Sequence, residues 1–262
     1  MPILDIIEPL EFRTYILVLI RISILLFMFP IFSSKVFPAR LKTGFALVAA
    51  LLFYSVLEVD LSRFPLSVGA TGLLIIAEVM IGLILGLCLR MFFASIQLAG
   101  QIIGFQMGFG MINVVDPQTG SNVSIMDQLG YWVCVIIFLI LNGHHIMFLA
   151  VIESFKLVPI GFFTLQNVMM VKILEMGSDL FFLAVKIGAP VIVSLAFVSV
   201  GFGLMAKFSP QMNVMIVSFP LKIIAGLLIF GLIIQAVSVI THSYIKEFKE
   251  LLMFFLFFAG KG

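Results

Sequence analysis

Apolar residues fall in runs long enough to cross a bilayer, and the polar residues are gathered into short breaks between them. A membrane-spanning helix needs roughly 17 to 25 mostly apolar residues. About six runs approach that length or exceed it, at 15–32, 41–57, 68–96, 129–153, 178–207 and 214–240. The breaks hold Pro30 and Pro38, Pro65, a glycine-rich stretch with Pro117, Pro159, and Ser209-Pro210. A missing N–H or a permissive glycine ends a helix at such points. The pattern predicts an all-α integral membrane protein of about six apolar helices forming hairpins. The segment after Glu153, up to Asp179, is long and amphipathic enough to suggest an interfacial helix.

The glycine-rich stretch, residues 100–120 (GQIIGFQMGFGMINVVDPQTG), separates two of the long runs. Lipid offers no partner for exposed backbone N–H and C=O groups, so a non-helical segment at membrane depth must be buried in protein or line a water-filled path. This segment therefore reads as part of a conduit. Gly82 and Gly86, then Gly100, Gly104 and Gly108, recur four residues apart. That spacing lets helix backbones approach closely, within the chain or between subunits.

Composition sharpens the class: 63% of residues are hydrophobic and 11% charged, with 29 Phe and 15 Met, far from soluble usage. The net charge of +2 is thinly spread and forms no cationic face, so nucleic acid is not an expected partner. The N-terminus carries Asp5, Glu8 and Glu11 with no basic start, so a removable signal peptide is not expected. Cys88 and Cys134 sit inside apolar runs without ligand spacing and read as buried, reduced thiols.

Loop charge gives no orientation. With six alternating spans, one side holds Arg13, Arg63, Lys156, Lys172, Lys246, Lys249 and Lys261, and the other Lys35, Arg40, Lys42, Arg90, Lys207 and Lys222. The positive-inside bias is absent, so either some runs do not cross or an assembly fixes their position.

Arg21, Glu78 and Lys186 fall within apolar runs. A charge near the bilayer centre costs at least about 2.5–3.5 kcal/mol on insertion scales, so each needs a reason. A proton or ion relay would require several carboxylates on one face, whereas Glu78 stands alone. Buried ion pairs or contacts to partner helices are the favoured reading. His144-His145 follow Asn142-Gly143 with no acidic residue at ligand spacing, so a polar helix end or turn is favoured over a metal site. The tripeptide Asn122-Val123-Ser124 matches a glycosylation acceptor too common to carry weight. Most methionines read as core filling, while Met107 and Met111 beside Phe109, and Met205, Met212 and Met215 around Pro210, could close around variable contents. No catalytic constellation or cofactor motif is visible, and an enzyme is not expected.

The order of these features resembles the FliR family of flagellar, type III export-gate proteins: Arg21 and Pro30 in the first helix, GFQMGFGMINVVDPQTG, NGHH, then APVIVSLAFVSVGFGLMAKFSPQMNVMIVSFPLKI. Residues 21–52 look like a core segment of FliP. Residues 189–223 look like the helical hairpin of FliQ, through Ala189-Pro190, Gln211 with Asn213, and Ser218, Pro220 and Lys222. The resemblance implies one FliR-like domain over 1–262, with a FliP-like part at about 1–180 and a FliQ-like hairpin at about 181–262. It further implies assembly with FliP and FliQ homologues and an FlhB-like gate protein in the bacterial inner membrane, beneath the flagellar basal body. Unfolded flagellar subunits would pass through, and the family's plug maps to 106–122. Its residues here are Gln106, Met107, Gly108, Phe109, Gly110, Met111, Ile112, Asn113, Asp116, Pro117 and Gln118. The virulence injectisome counterpart is the nearest alternative. A secondary transporter is less favoured because the two halves show no repeat, and an intramembrane hydrolase lacks a visible nucleophile–base pair.

Overall fold

In the computed structural model, residues 9–33, 37–56, 68–109, 124–209, 211 and 213–260 are described, and their regular structure is helical. The elements are α1 (Pro9–Met28), a single turn α2 (Pro30–Ser33), α3 (Ala39–Val56), α4 (Val68–Met107), α5 (Ile125–Ile140), α6 (Gly143–Leu157), α7 (Asn167–Phe208) and α8 (Val214–Ala259).

The helices differ from the apolar runs in ways that have physical causes. The run 129–153 is two helices bent by 68°. Asn142 sits at the break in the left-handed conformation, φ 58°, which asparagine tolerates better than most residues. The interfacial helix expected before Asp179 is not a separate element. Residues 158–166 are non-helical, and α7 then runs unbroken from Asn167, its early polar turns carrying the exposed i,i+3 pair Lys172–Glu175 at 2.9 Å. α8 continues past the end of its apolar run and past Lys246, Glu247, Lys249 and Glu250, because Ile245, Phe248, Leu252, Phe255 and Leu256 bury one face of its last third. The glycine stretch is likewise helical in its first part, with 100–107 completing α4.

Among the described residues, three helices are long and apolar enough to cross a membrane, α4, α7 and α8, or up to four spans if α5 and α6 form one broken span. α1 carries Glu11, Arg13 and Arg21 within its 20 residues. Of the about six apolar helices expected, three, or up to four, are thus long and apolar enough to span among the described residues. At 1.5 Å per residue α4, α7 and α8 are each about 60–70 Å long, twice the roughly 30 Å hydrocarbon core.

Two compact units emerge. The first takes 1–90, 142–176 and 245–262; the second takes 91–141 and 177–244. In the first, α1 and α4 pack through Gly82, whose missing Cβ would lie 3.0 Å from Ile24 Cβ and 3.1 Å from the Arg21 carbonyl, and through Gly86, which receives Met28. Any larger residue at Gly82 would push against backbone. Tyr15 of α1 donates to the Leu47 carbonyl of α3 at 3.1 Å.

The second unit is built on a core of Ile103, Met107, Met126, Val191, Leu195, Phe230 and Ile233. These residues come from α4, α5, α7 and α8. Phe92 stacks on Tyr244 at 3.9 Å between centroids, and Phe93 meets Phe138 edge-on.

Candidate functional site: the stem of the glycine segment

α4 ends because Gly108 adopts φ +93°, a conformation open to glycine and strained for a side chain, and its N–H bonds the Phe105 carbonyl at 3.1 Å. Chain description resumes at Ser124, just before α5. The last turns of α4 and the start of α5 lie together. A Cβ on Gly104 would run into Ser124 Oγ, and one on Gly100 would sit 2.6 Å from Asp127 Cα and 2.7 Å from the Met126 carbonyl. Glycine at 100 and 104 thus lets the start of α5 rest against the backbone of α4. Gln101 Nε2 donates to Asp127 Oδ2 at 3.1 Å across the same contact.

The last turn of α4 is moored on its other sides as well. Gln106 Nε2 donates to the Ile192 carbonyl of α7 at 3.1 Å, an acceptor close to Pro190 in sequence. Met107 is fully buried, and its Sδ lies 2.7 Å from where a Cβ on Gly226 would be, so that glycine makes the hollow the thioether fills. The Phe219 ring occupies the space beside Gly108. Phe109 packs, half-buried, against the core of the second unit. Phe219 and Gly226 were not singled out in the sequence, because an aromatic and a glycine on an apolar helix look like ordinary filling until the fold sets them opposite Gly108 and Met107.

Of the residues assigned to this segment, Gln106, Met107, Gly108 and Phe109 are thus brought together, while Gly110, Met111, Ile112, Asn113, Asp116, Pro117 and Gln118 lie outside the described residues. Met212 and the Met215 side chain also lie outside them, whereas Met205 is exposed. Pro190 and Pro220 lie inside α7 and α8, with Gln211 and Asn213 exposed between the helices and Lys222 half-buried on α8.

The charges within the apolar runs divide. Arg21 and Glu78, 57 residues apart, form a fully buried pair with Nε–Oε2 2.6 Å and Nη2–Oε1 3.0 Å. Arg21 Nη1 also donates to Ser154 Oγ, both Nη atoms donate to the Val158 carbonyl at 3.2 Å, and its Cζ lies 4.0 Å from the Phe155 ring centre. Glu78 Oε1 accepts the Gly161 N–H at 3.1 Å. Gly161, at φ +82°, turns the chain between α6 and α7, and Thr164 N–H then bonds the Ala259 carbonyl at the end of α8. A bidentate pair with its remaining donors satisfied is the arrangement that offsets the cost of burying two charges. Lys186 is exposed on α7 and forms no ion pair among the described residues. Cys88 and Cys134 are buried and unbridged. Asn142 to His145 make the α5–α6 break, the two imidazoles 4.2 Å apart, and among the described residues no three ligand-type side chains are grouped to hold a metal.

Comparison with known proteins gives the class of this helical membrane protein. The family model described as bacterial export proteins, family 1, matches residues 12–259, and the chain belongs to that family. Its relatives include the flagellar biosynthetic protein FliR of Bacillus subtilis strain 168, 31% identical over 241 residues, covering 88% of this chain and 90% of that protein. FliR of Aquifex aeolicus VF5 is 29% identical over 248 residues, 93% of each chain. FliR of Escherichia coli K12 is 25% identical over 234 residues, 89% of each. Within the family this is a FliR-type chain, a component of the flagellar export apparatus.

Proposed function

We propose that this chain is a gate subunit of the flagellar export apparatus in the bacterial inner membrane, and that residues 106–122 form the plug that closes its conduit. The observation that carries the reading is the stem. Gly100 and Gly104 clamp the two ends of the segment together, and Gln106, Met107 and Gly108 fix its origin against α7 and α8. A segment held so tightly at its base, and rich in glycine, methionine and amides beyond it, can close a conduit without recognising a particular sequence. That suits passage of many unrelated unfolded chains.

Homologues of FliP and FliQ, with an FlhB-like protein, are the proposed neighbours, and unfolded flagellar subunits the cargo. Support comes from α7 and α8, where only 28% and 22% of the most apolar window is buried, against 50% for α4. Phe197, Phe208 and Leu232 are each more than 70% exposed. Apolar faces of this extent call for lipid or partner helices. The α7–α8 pair, with Pro190, Gln211, Asn213, Pro220 and Lys222, is the proposed FliQ-like hairpin, and the role is mechanical rather than catalytic.

Detergent extraction followed by affinity purification of this chain tests the reading. Recovery of one stable complex containing the FliP and FliQ homologues is the expected result. A monodisperse single chain that transports a small solute after reconstitution would overturn it.

A further inference from the structure

We propose that the outward face of α3 seats an anionic phospholipid, with an acyl chain along Leu41, Phe45, Val48 and Leu52 and the headgroup phosphate at Arg40 and Lys42. The inference is independent of the plug reading and uses no part of the glycine segment.

α3 is polarised the wrong way round for a helix in water. Its inward side is built largely of small residues: Ala46, Ala49 and Ala50 are buried, and Phe53 stacks on Phe148 of α6 at 6.2 Å between centroids. Tyr15 of α1 holds the helix through its bond to the Leu47 carbonyl and an edge-on contact with Tyr54. The larger aliphatic side chains lie outside. Leu41, Phe45, Val48 and Leu52, spaced four, three and four residues apart, fall on one stripe and are between 44% and 63% exposed. Leu47 and Leu51, also exposed, widen it. A contiguous apolar face of this kind calls for a cover.

The polar groups on the exposed side ask nothing of that cover. Thr43 donates to the Ala39 or the Arg40 carbonyl, at 3.1 and 3.0 Å, and Ser55 donates to the Leu52 carbonyl at 2.7 Å. Both hydroxyls are satisfied within the helix, as contact with acyl chains demands.

Charge then selects the headgroup. Arg40 is exposed and Lys42 half-buried in the first turn, and residues 39–56 contain no acidic side chain. A guanidinium matches a phosphate in shape as well as in sign. A zwitterionic headgroup would bring its own cation against these two, so an anionic one fits better. Phe32 of α2 stacks on Phe45 at 5.0 Å and meets Phe37 at 5.9 Å, which puts a rigid aromatic wall beside the cationic end of the stripe.

The test takes the complex that purifies with this chain into nanodiscs of equal phosphatidylglycerol and phosphatidylcholine, with a trace of one or the other carrying a photoactivatable acyl chain. Labelled residues are mapped by mass spectrometry. Wild type should be labelled between residues 41 and 52, severalfold more from phosphatidylglycerol than from phosphatidylcholine. Arg40→Gln combined with Lys42→Gln should bring the phosphatidylglycerol signal down to the phosphatidylcholine level without moving the thermal midpoint, and Arg40→Lys should keep most of it. Should the double variant fail to fold, the two lipids compared on wild type still decide. Equal labelling by both lipids, or a phosphatidylglycerol preference that survives the double change, would overturn the proposal. So would an unlabelled α3 beside labelled α7 and α8, which would show that protein covers this face.

Discussion

Both compact units of this chain hold a polar feature in their interior, but they hold it in opposite ways. In the first unit the Arg21–Glu78 pair is saturated: two contacts between the charges, and further bonds to Ser154, Val158 and Gly161. Such an arrangement has one good geometry and loses heavily on any departure from it. In the second unit the stem of the glycine segment relies on shape. Gly100, Gly104 and Gly226 make room, Met107 fills it, and single amide bonds from Gln101 and Gln106 set the register. Contacts of that kind can be undone one at a time.

Removing half of the saturated pair should cost most. Arg21→Leu leaves Glu78 buried without its counter-ion, and a loss of about 3–5 kcal/mol is expected, read as collapse of the purified level and of the thermal midpoint in detergent. The double change Arg21→Leu with Glu78→Leu should recover much of it, since the uncompensated charge is gone; no recovery would mean that the pair does more than balance charge. Next comes Met107→Ala, which empties the hollow beside Gly226 and should cost about 2–5 kcal/mol. Its effect should appear as increased protease cleavage between 108 and 124 before any loss of assembly. Widening the stem with Gly104→Leu should cost about 1–3 kcal/mol and reduce swimming, and full motility would show the close contact with Ser124 to be incidental. Gln106→Leu removes one amide bond, worth about 0.5–1.5 kcal/mol, and should leave assembly intact while raising protease access slightly. The exposed Lys172–Glu175 pair marks the floor: Lys172→Ala should move the midpoint by no more than about 0.5 kcal/mol.

Much of the helical architecture was legible because apolar runs and prolines declare themselves locally. The Asn142 break shows where local signals conflict. The same residues count as part of an apolar run and as a polar turn, and the second reading prevails because asparagine before glycine can take the left-handed conformation that bends the chain. The extension of α8 to Ala259 was hidden by averaging: Lys246, Glu247, Lys249 and Glu250 end the apolar run, while Ile245, Phe248 and Leu252 continue a buried stripe beneath them. Arg21 and Glu78 each stood out as costly, but 57 residues separate them and only the fold brings them together. The stem was half visible. Four-residue glycine spacing announced close packing, yet nothing in the sequence said that Ser124 and Asp127 would be what packs there, or that Phe219 and Gly226 would receive the other side. The two compact units also take residues from both sides of the boundary near residue 180 that the FliP-like and FliQ-like resemblance suggests.

The most direct measurement is the ion conductance of the assembled gate with and without residues 110–120. The plug account expects the deleted gate to assemble with its partners and to conduct far above wild type. An assembled gate whose conductance is unchanged by the deletion would contradict it.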